Sequence, residues 1–483
     1  MLFNSLSFLI FLPIAFSLYW LSFYKFRYLS NSILLILSYF FYAFWDWRFL
    51  FLLVFSTIID YISGIKVSNS KNQRTRNWWF YFSIILNIGF LCFFKYYNFF
   101  ADTLVYSMTK LGLHLNLNHL NILLPIGISF YTFHGLSYLI DIYNQKIEPE
   151  KNFVDYALFV TFFPLLVAGP IERATHLLPQ LKQPRIFNYE FAVDGLRQIL
   201  WGVFKKIVIA DQCAFFADMI FNNSSQYNGI SHVIGAIFFA FQIYGDFSGY
   251  SDIALGTAKL FGIQLFRNFN YPYFSKNIAE FWRRWHISLS SWFKDYLYIP
   301  LGGSKGHYLI KIRNILVIFL VSGLWHGANW TFVIWGLLNA IFIIPSILKS
   351  KQDKRFEVKI NGKLLLGIVE FGSILFTFFL TTFAWIFFRS SSVSNAIDYI
   401  GKIANNSLFN APNFDSLSRA ILSFILIIFM LIVEWFNKDH EHVFSGFSRI
   451  KNRFFRWLIY SLLLFAIGMF MRTEETPFIY FQF

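Results

Sequence analysis

Cysteine is nearly absent. Cys92 and Cys213 are the only two in 483 residues, each alone in an apolar run, so neither a disulfide framework nor a cysteine metal site is on offer. Charge is scarce as well: 14% of residues are charged, against 57% hydrophobic and 22% aromatic. A soluble domain carries about 25% charged residues, so this chain cannot be one. The 26 acidic residues fall short of the 41 basic ones. An excess of +15 would suit a nucleic-acid binder, but the basic residues gather in short loops beside apolar stretches, as the cytoplasmic loops of membrane proteins do.

What the chain has in abundance is apolar runs of about 20 residues, the length of a membrane-spanning helix. They lie near 4 to 22, 31 to 45, 49 to 65, 78 to 100, 121 to 140, 154 to 170, 230 to 245, 310 to 348, 364 to 388, 419 to 436 and 457 to 471, with the 310 to 348 run long enough for two. The Lys205-Lys206 pair interrupts another, 196 to 221. The reading is an all-α, polytopic integral membrane protein with about 11 to 13 transmembrane helices, plus interfacial helices around a central chamber. The first run lacks a charged leader and a small-residue cleavage site, and Trp20 and Tyr24 close it like an interfacial belt, so a retained span is expected.

Basic loops assign sides. Loops 23 to 30 (Lys25, Arg27), 66 to 76 (Lys66, Lys71, Arg74, Arg76), 349 to 363 (Lys349, Lys351, Lys354, Arg355, Lys359, Lys363) and 438 to 456 (Lys438, Arg449, Lys451, Arg453, Arg456) go to the cytoplasm. Loops 101 to 120 and 389 to 418 then face outward, and span counts between them put both termini outside. No linker, low-complexity tract or repeat divides the chain, so one domain, 1–483, is expected.

The centre, 240 to 335, is different, because there Gly, Asp, Ser, His, Arg and Trp crowd between apolar runs. Polar or irregular backbone at membrane depth survives only where protein or a water-filled cavity surrounds it, which places a chamber here. Within it, Lys276 to Tyr298 reads as one amphipathic helix, with Trp282 and Trp285 on the apolar stripe, Arg283 and Arg284 opposite, and His286 on the border. His326 follows in Ser322-Gly323-Leu324-Trp325-His326-Gly327-Ala328-Asn329-Trp330. An ionisable side chain at membrane depth is costly, and histidine is suited to moving protons near neutral pH. Each also has a structural reading: His326 hydrogen-bonded between packed helices, His286 facing headgroups. Asn329, three residues after His326, is placed to orient its ring from the same helical face.

Asp246 and Asp252 flank the small-residue stretch Phe247-Ser248-Gly249-Tyr250-Ser251, read as a turn at the end of a span. Six apart, they do not share one helical face, so they are not an obvious acid/base pair; capping is an equal reading. Arg283 and Arg284 suit a phosphate group, though headgroup anchoring is the commoner role for such a pair. His440-Glu441-His442 lacks helical ligand spacing and sits in a charged loop, so it is read as solvated, and no metal site is expected. The sequence has no Gly-x-Ser-x-Gly elbow, no phosphate-cradling glycine loop, no His-Glu-x-x-His and no histidine followed five residues on by aspartate. What remains is base-assisted transfer to a hydroxyl.

Several blocks in order carry a resemblance: Met1-Leu2-Phe3-Asn4-Ser5, Leu124 to Phe133, Ala168-Gly169-Pro170-Ile171, Asp246 to Asp252, Asn268 to Gly303, Trp325-His326-Gly327, Trp385 to Arg389, and the terminal Phe478-Ile479-Tyr480-Phe481-Gln482-Phe483. Nearly end to end, the chain resembles the membrane-bound O-acyltransferase family, and within it the bacterial alginate and peptidoglycan O-acetyltransferase membrane subunits. The resemblance implies that His326 is the essential histidine and His286 the second of the bacterial branch. It implies a chamber open to both sides, lined by Asp246, Ser248, Tyr250, Asp252, Trp282, Arg283, Arg284, Trp285, Trp325 and Asn329. It also implies no bound cofactor, an acyl thioester donor such as acetyl-CoA taken from the cytoplasm, and a polysaccharide acceptor outside. A partner of the SGNH-esterase-like kind would carry the acetyl group onward. D-alanyl transfer to teichoic acid and a transporter with a histidine proton relay are the competing readings.

Overall fold

The structure is a computed structural model that describes residues 1–23, 27–115, 117–166, 169–349, 363–447, 452–471 and 478–479. Tyr24, Lys25, Ala168, nearly all of basic loop 349 to 363, Arg449, Lys451 and Tyr480 to Phe483 lie outside the described residues. Among the described residues every regular element is a helix. Eight are long and apolar enough to cross a membrane, and Leu6–Ser22 and Leu29–Ala43 are shorter apolar helices. Other apolar runs make shorter or bent helices. The 121 to 140 run yields Ile128–Tyr143, the 154 to 170 run yields Phe153–Thr161 and Phe163–Leu166, and 196 to 221 is continuous but widens to a π-helix at Lys205–Ala210. Several of these are buried along most of their length, so their apolar residues meet protein instead of lipid.

The chain packs as two compact units, Met1–Gly195 with Thr257–Phe266, and Leu196–Gly256 with Arg267–Phe483. In the first, Trp47–Asn69 packs on Gln73–Leu91 and on Ile128–Tyr143. Its buried Asp60 carboxylate accepts hydrogen bonds from Ser83 Oγ and Asn87 Nδ2, both at 2.6 Å, a polar contact between buried helix faces.

The second unit contains both histidines. Tyr308–His326 and Trp330–Lys349 form a tight helical hairpin. A Cβ on Gly323 would lie 2.3 Å from the Phe332 carbonyl oxygen, and one on Gly336 2.2 Å from that of Phe319. Only glycine lets these two backbones meet, the small-residue packing used between membrane helices.

Two local expectations fail here. Asp246 to Asp252 is not a turn, because the helix Gly229–Leu260 runs straight through it. Its small residues serve helix packing instead: the carbonyl of Gly249 lies 2.6 Å from where a Cβ on Gly202 would be. Nor is Lys276 to Tyr298 one helix. It divides into Ile278–Arg284, Ile287–Phe293 and a π-helical stretch, Lys294–Tyr298. The break has a tertiary cause. The Asn270 N–H donates to the Arg284 carbonyl and the Ile287 N–H to the Asn268 carbonyl, both at 2.9 Å, capturing two groups that a continuous helix would use internally.

Candidate active site

His286 sits at that break with φ +44° and ψ 55°, the left-handed region, as the residue before helix Ile287–Phe293. A non-glycine residue there is uncommon, though histidine is among those enriched. It is 1% exposed, so it does not face headgroups as the border of an amphipathic stripe would. Its Nδ1 lies 2.9 Å from Asn268 Oδ1, which also accepts from Ser288 Oγ at 2.9 Å. Phe247 meets the imidazole edge to face at 4.6 Å and Trp325 lies at 6.0 Å between ring centroids. Burial holds the imidazole well below its ordinary pKa, which keeps the ring neutral near pH 7.

His326 is the last residue of its helix, 4% exposed and followed by extended Gly327. Its ring is walled by Trp325, Trp335 and Phe388 at 4.8, 4.9 and 5.3 Å. Trp325 thus touches both histidines. Trp285, 1% exposed, extends this aromatic wall through Trp385 at 5.2 Å, and Trp282 donates its indole N–H to Asn339 Oδ1 at 3.2 Å. Asn329 does not share a helix with His326, because the helix stops first. It caps the next one, accepting from the Thr331 N–H at 3.1 Å and donating to the Ser391 carbonyl at 2.8 Å.

The two aspartates are held by adjacent lysines. Asp246, 2% exposed, meets Lys206 at 2.7 Å and accepts from the Ile479 N–H at 2.7 Å, while Lys206 also reaches Asp211 at 2.9 Å. Asp252 meets Lys205 at 2.6 Å and accepts from Gln198 Nε2 at 2.9 Å. Both carboxylates are therefore charge partners within the fold. Tyr250 packs on Phe478 at 4.7 Å, so the same corner anchors residues 478–479. Arg283 is exposed, and Arg284 pairs with Glu280 at 2.7 Å.

Lys205, Asp252, Arg267 and Asn268 line a cavity of about 20 Å³, room for roughly one water, together with Ser248, Glu441 and His442. The buried Ser248 Oγ has no hydrogen-bond partner among the described residues. His442 is only 3% exposed, which corrects its reading as solvated: Val443 and Phe444, also buried, draw that loop inward. Among the described residues no three potential ligands converge on a metal position.

Sequence reasoning passed over Asn268 and the lysine pair. A signal was there for the lysines: two adjacent cations inside one apolar run, and two anions inside another, call for each other. For Asn268 there was none, since it is one asparagine in a polar stretch.

The chain matches the family model of the membrane-bound O-acyltransferase family over residues 145–359. It is 33% identical over 535 aligned positions to the peptidoglycan O-acetyltransferase of Helicobacter pylori, covering 100% of this chain and 98% of that protein. It is 38% identical to the probable alginate O-acetylase AlgI of Pseudomonas syringae pv. tomato, over 89% of this chain and 80% of the relative. The teichoic acid D-alanyltransferase of Bacillus subtilis matches at 25% over 54% of this chain and 69% of its own. A chain that follows such relatives along nearly its whole course is an acyltransferase and belongs to the membrane-bound O-acyltransferase family.

Proposed function

We propose that this acyltransferase moves an acetyl group from a cytoplasmic thioester, such as acetyl-CoA, across the membrane to a hydroxyl of an extracytoplasmic polysaccharide or of a partner protein. Acetyl is favoured over D-alanyl because the O-acetyltransferase relatives align over far more of the chain, at 33% and 38% identity against 25%. The observation that carries the reading is the packing of both buried histidines against Trp325. In the proposed step His326 takes the proton of the incoming hydroxyl as its oxygen attacks the thioester carbonyl carbon. The carbon–sulfur bond then breaks, and the sulfur leaves as the thiol once protonated. General-base action of this kind contributes about a hundredfold to ten-thousandfold.

A chain of contacts links the loop assigned to the cytoplasm with His326. The cavity includes Glu441 and His442, from the basic loop assigned to the cytoplasm. Asn268 lines that cavity and bonds His286; His286 touches Trp325, and Trp325 touches His326. His326 ends a helix whose hairpin partner runs back to Lys349, on the cytoplasmic side by the same rule, so the hairpin tip points outward.

The test uses sealed vesicles of known orientation. Labelled acetyl-CoA supplied only to the cytoplasmic face should modify an acceptor polysaccharide enclosed on the other face. Label that appears only when donor and acceptor share a side would overturn the cross-membrane route and leave the acyltransferase assignment standing.

A further inference from the structure

We infer that Asn268 is a positioning residue for the acyl-transfer step: its side-chain oxygen holds His286 in the Nδ1–H tautomer and so reserves Nε2 as that ring's proton acceptor. The inference rests on the proposed function and adds to it a proton-handling role for His286.

The Asn268 amide is held at both ends. Its Nδ2 donates to Ser251 Oγ at 3.1 Å, and its Oδ1 receives the Ser288 hydroxyl at 2.9 Å. In the structure Oδ1, which can only accept, faces His286 Nδ1 at 2.9 Å, and with that placement Nδ1 carries the proton. A neutral imidazole has one such proton. Nε2 is left with its lone pair, buried, and without a hydrogen-bond partner among the described residues. A buried acceptor with no partner within the chain is costly unless a donor from outside it, a water or a substrate hydroxyl, reaches it.

The same residue holds the backbone. Its carbonyl accepts the Ile287 N–H at 2.9 Å, next to the left-handed His286, so one asparagine fixes both the ring and the chain that bears it. Charged and titratable groups surround this site in pairs. Asp246 with Lys206 and Asp252 with Lys205 come from the Phe247 helix and its neighbour, Glu280 with Arg284 from the segment bearing His286, while Arg267 adjoins Asn268 and His326 adjoins Trp325. The nearest fixed polar influence on Nδ1 is thus a neutral amide, which orients the ring without charging it.

Acyl transfer to acceptor is measured in membranes across pH, with donor concentration varied, for Asn268→Ala, Asn268→Asp and His286→Ala. Asn268→Ala is expected to lower kcat on the order of tenfold to a hundredfold with KM little changed, as for other partners that orient a functional histidine. Asn268→Asp keeps an oxygen at Nδ1 but adds a negative charge that favours the imidazolium, so the acid limb of the pH–rate profile should move up by about one unit or more. Retention of kcat in folded Asn268→Ala, or an unmoved limb in Asn268→Asp, would overturn the assignment of Asn268 alone. If Asn268→Ala fails to accumulate, the limb in Asn268→Asp decides. Full activity in His286→Ala would overturn the role of His286 itself, and the inference with it.

Discussion

Lys206 meets Asp246 at 2.7 Å with neither side chain more than 3% exposed. Such a pair holds only while both members are present; deleting one strands a buried charge at a cost of about 3–5 kcal/mol. Lys206→Met should therefore destabilise strongly, because Asp246 and Asp211 both lose their cation. Adding Asp246→Asn should recover part of the loss. Thermal unfolding in detergent decides: a melting profile for Lys206→Met like that of the unaltered protein would remove this pair from the account of the fold.

His326→Ala should abolish acyl transfer while the protein still inserts and folds. The ring packs among Trp325, Trp335 and Phe388, which can close around an alanine at modest cost, whereas no other group replaces the lost base. Acceptor acylation at matched protein level is the measurement, and most of the activity surviving would rule out His326 as base.

His286→Asn separates two roles. Asparagine tolerates the left-handed backbone and keeps a hydrogen-bonding side chain, but it cannot handle a proton at neutral pH. Activity should stay at the level of His286→Ala. Recovery in the asparagine variant would make the histidine's contribution structural.

Asn329→Ala should lose about 1 kcal/mol of stability through the helix cap, with acyl transfer retained. A collapse of kcat in well-folded protein would return Asn329 to the reaction centre.

The helical, lipid-embedded class was legible because it rests on the summed hydropathy of hundreds of residues, and His326 stood out as an ionisable group amid apolar runs. The surroundings of His286 were hidden. Its segment has sound helical periodicity, and the break at 285–286 comes from hydrogen bonds to residues 268 and 270, some 16 positions upstream. Local pattern cannot report a distant segment that captures backbone groups. The helix through Asp246 was misread for the opposite reason: glycines and serines that signal a turn in water serve close helix contact here. Lys205 and Lys206 looked like an interruption because their partners lie some 40 positions away on another helix.

The left-handed backbone at residue 286 narrows what can replace the histidine. A glycine would occupy φ +44° without the Cβ crowding that costs other residues about 1–2 kcal/mol. It would also empty the space the ring fills against Phe247 and Trp325 and leave Asn268 without that partner, a larger loss than the backbone relief. A screen of variant libraries for heat resistance should therefore return few glycines at residue 286.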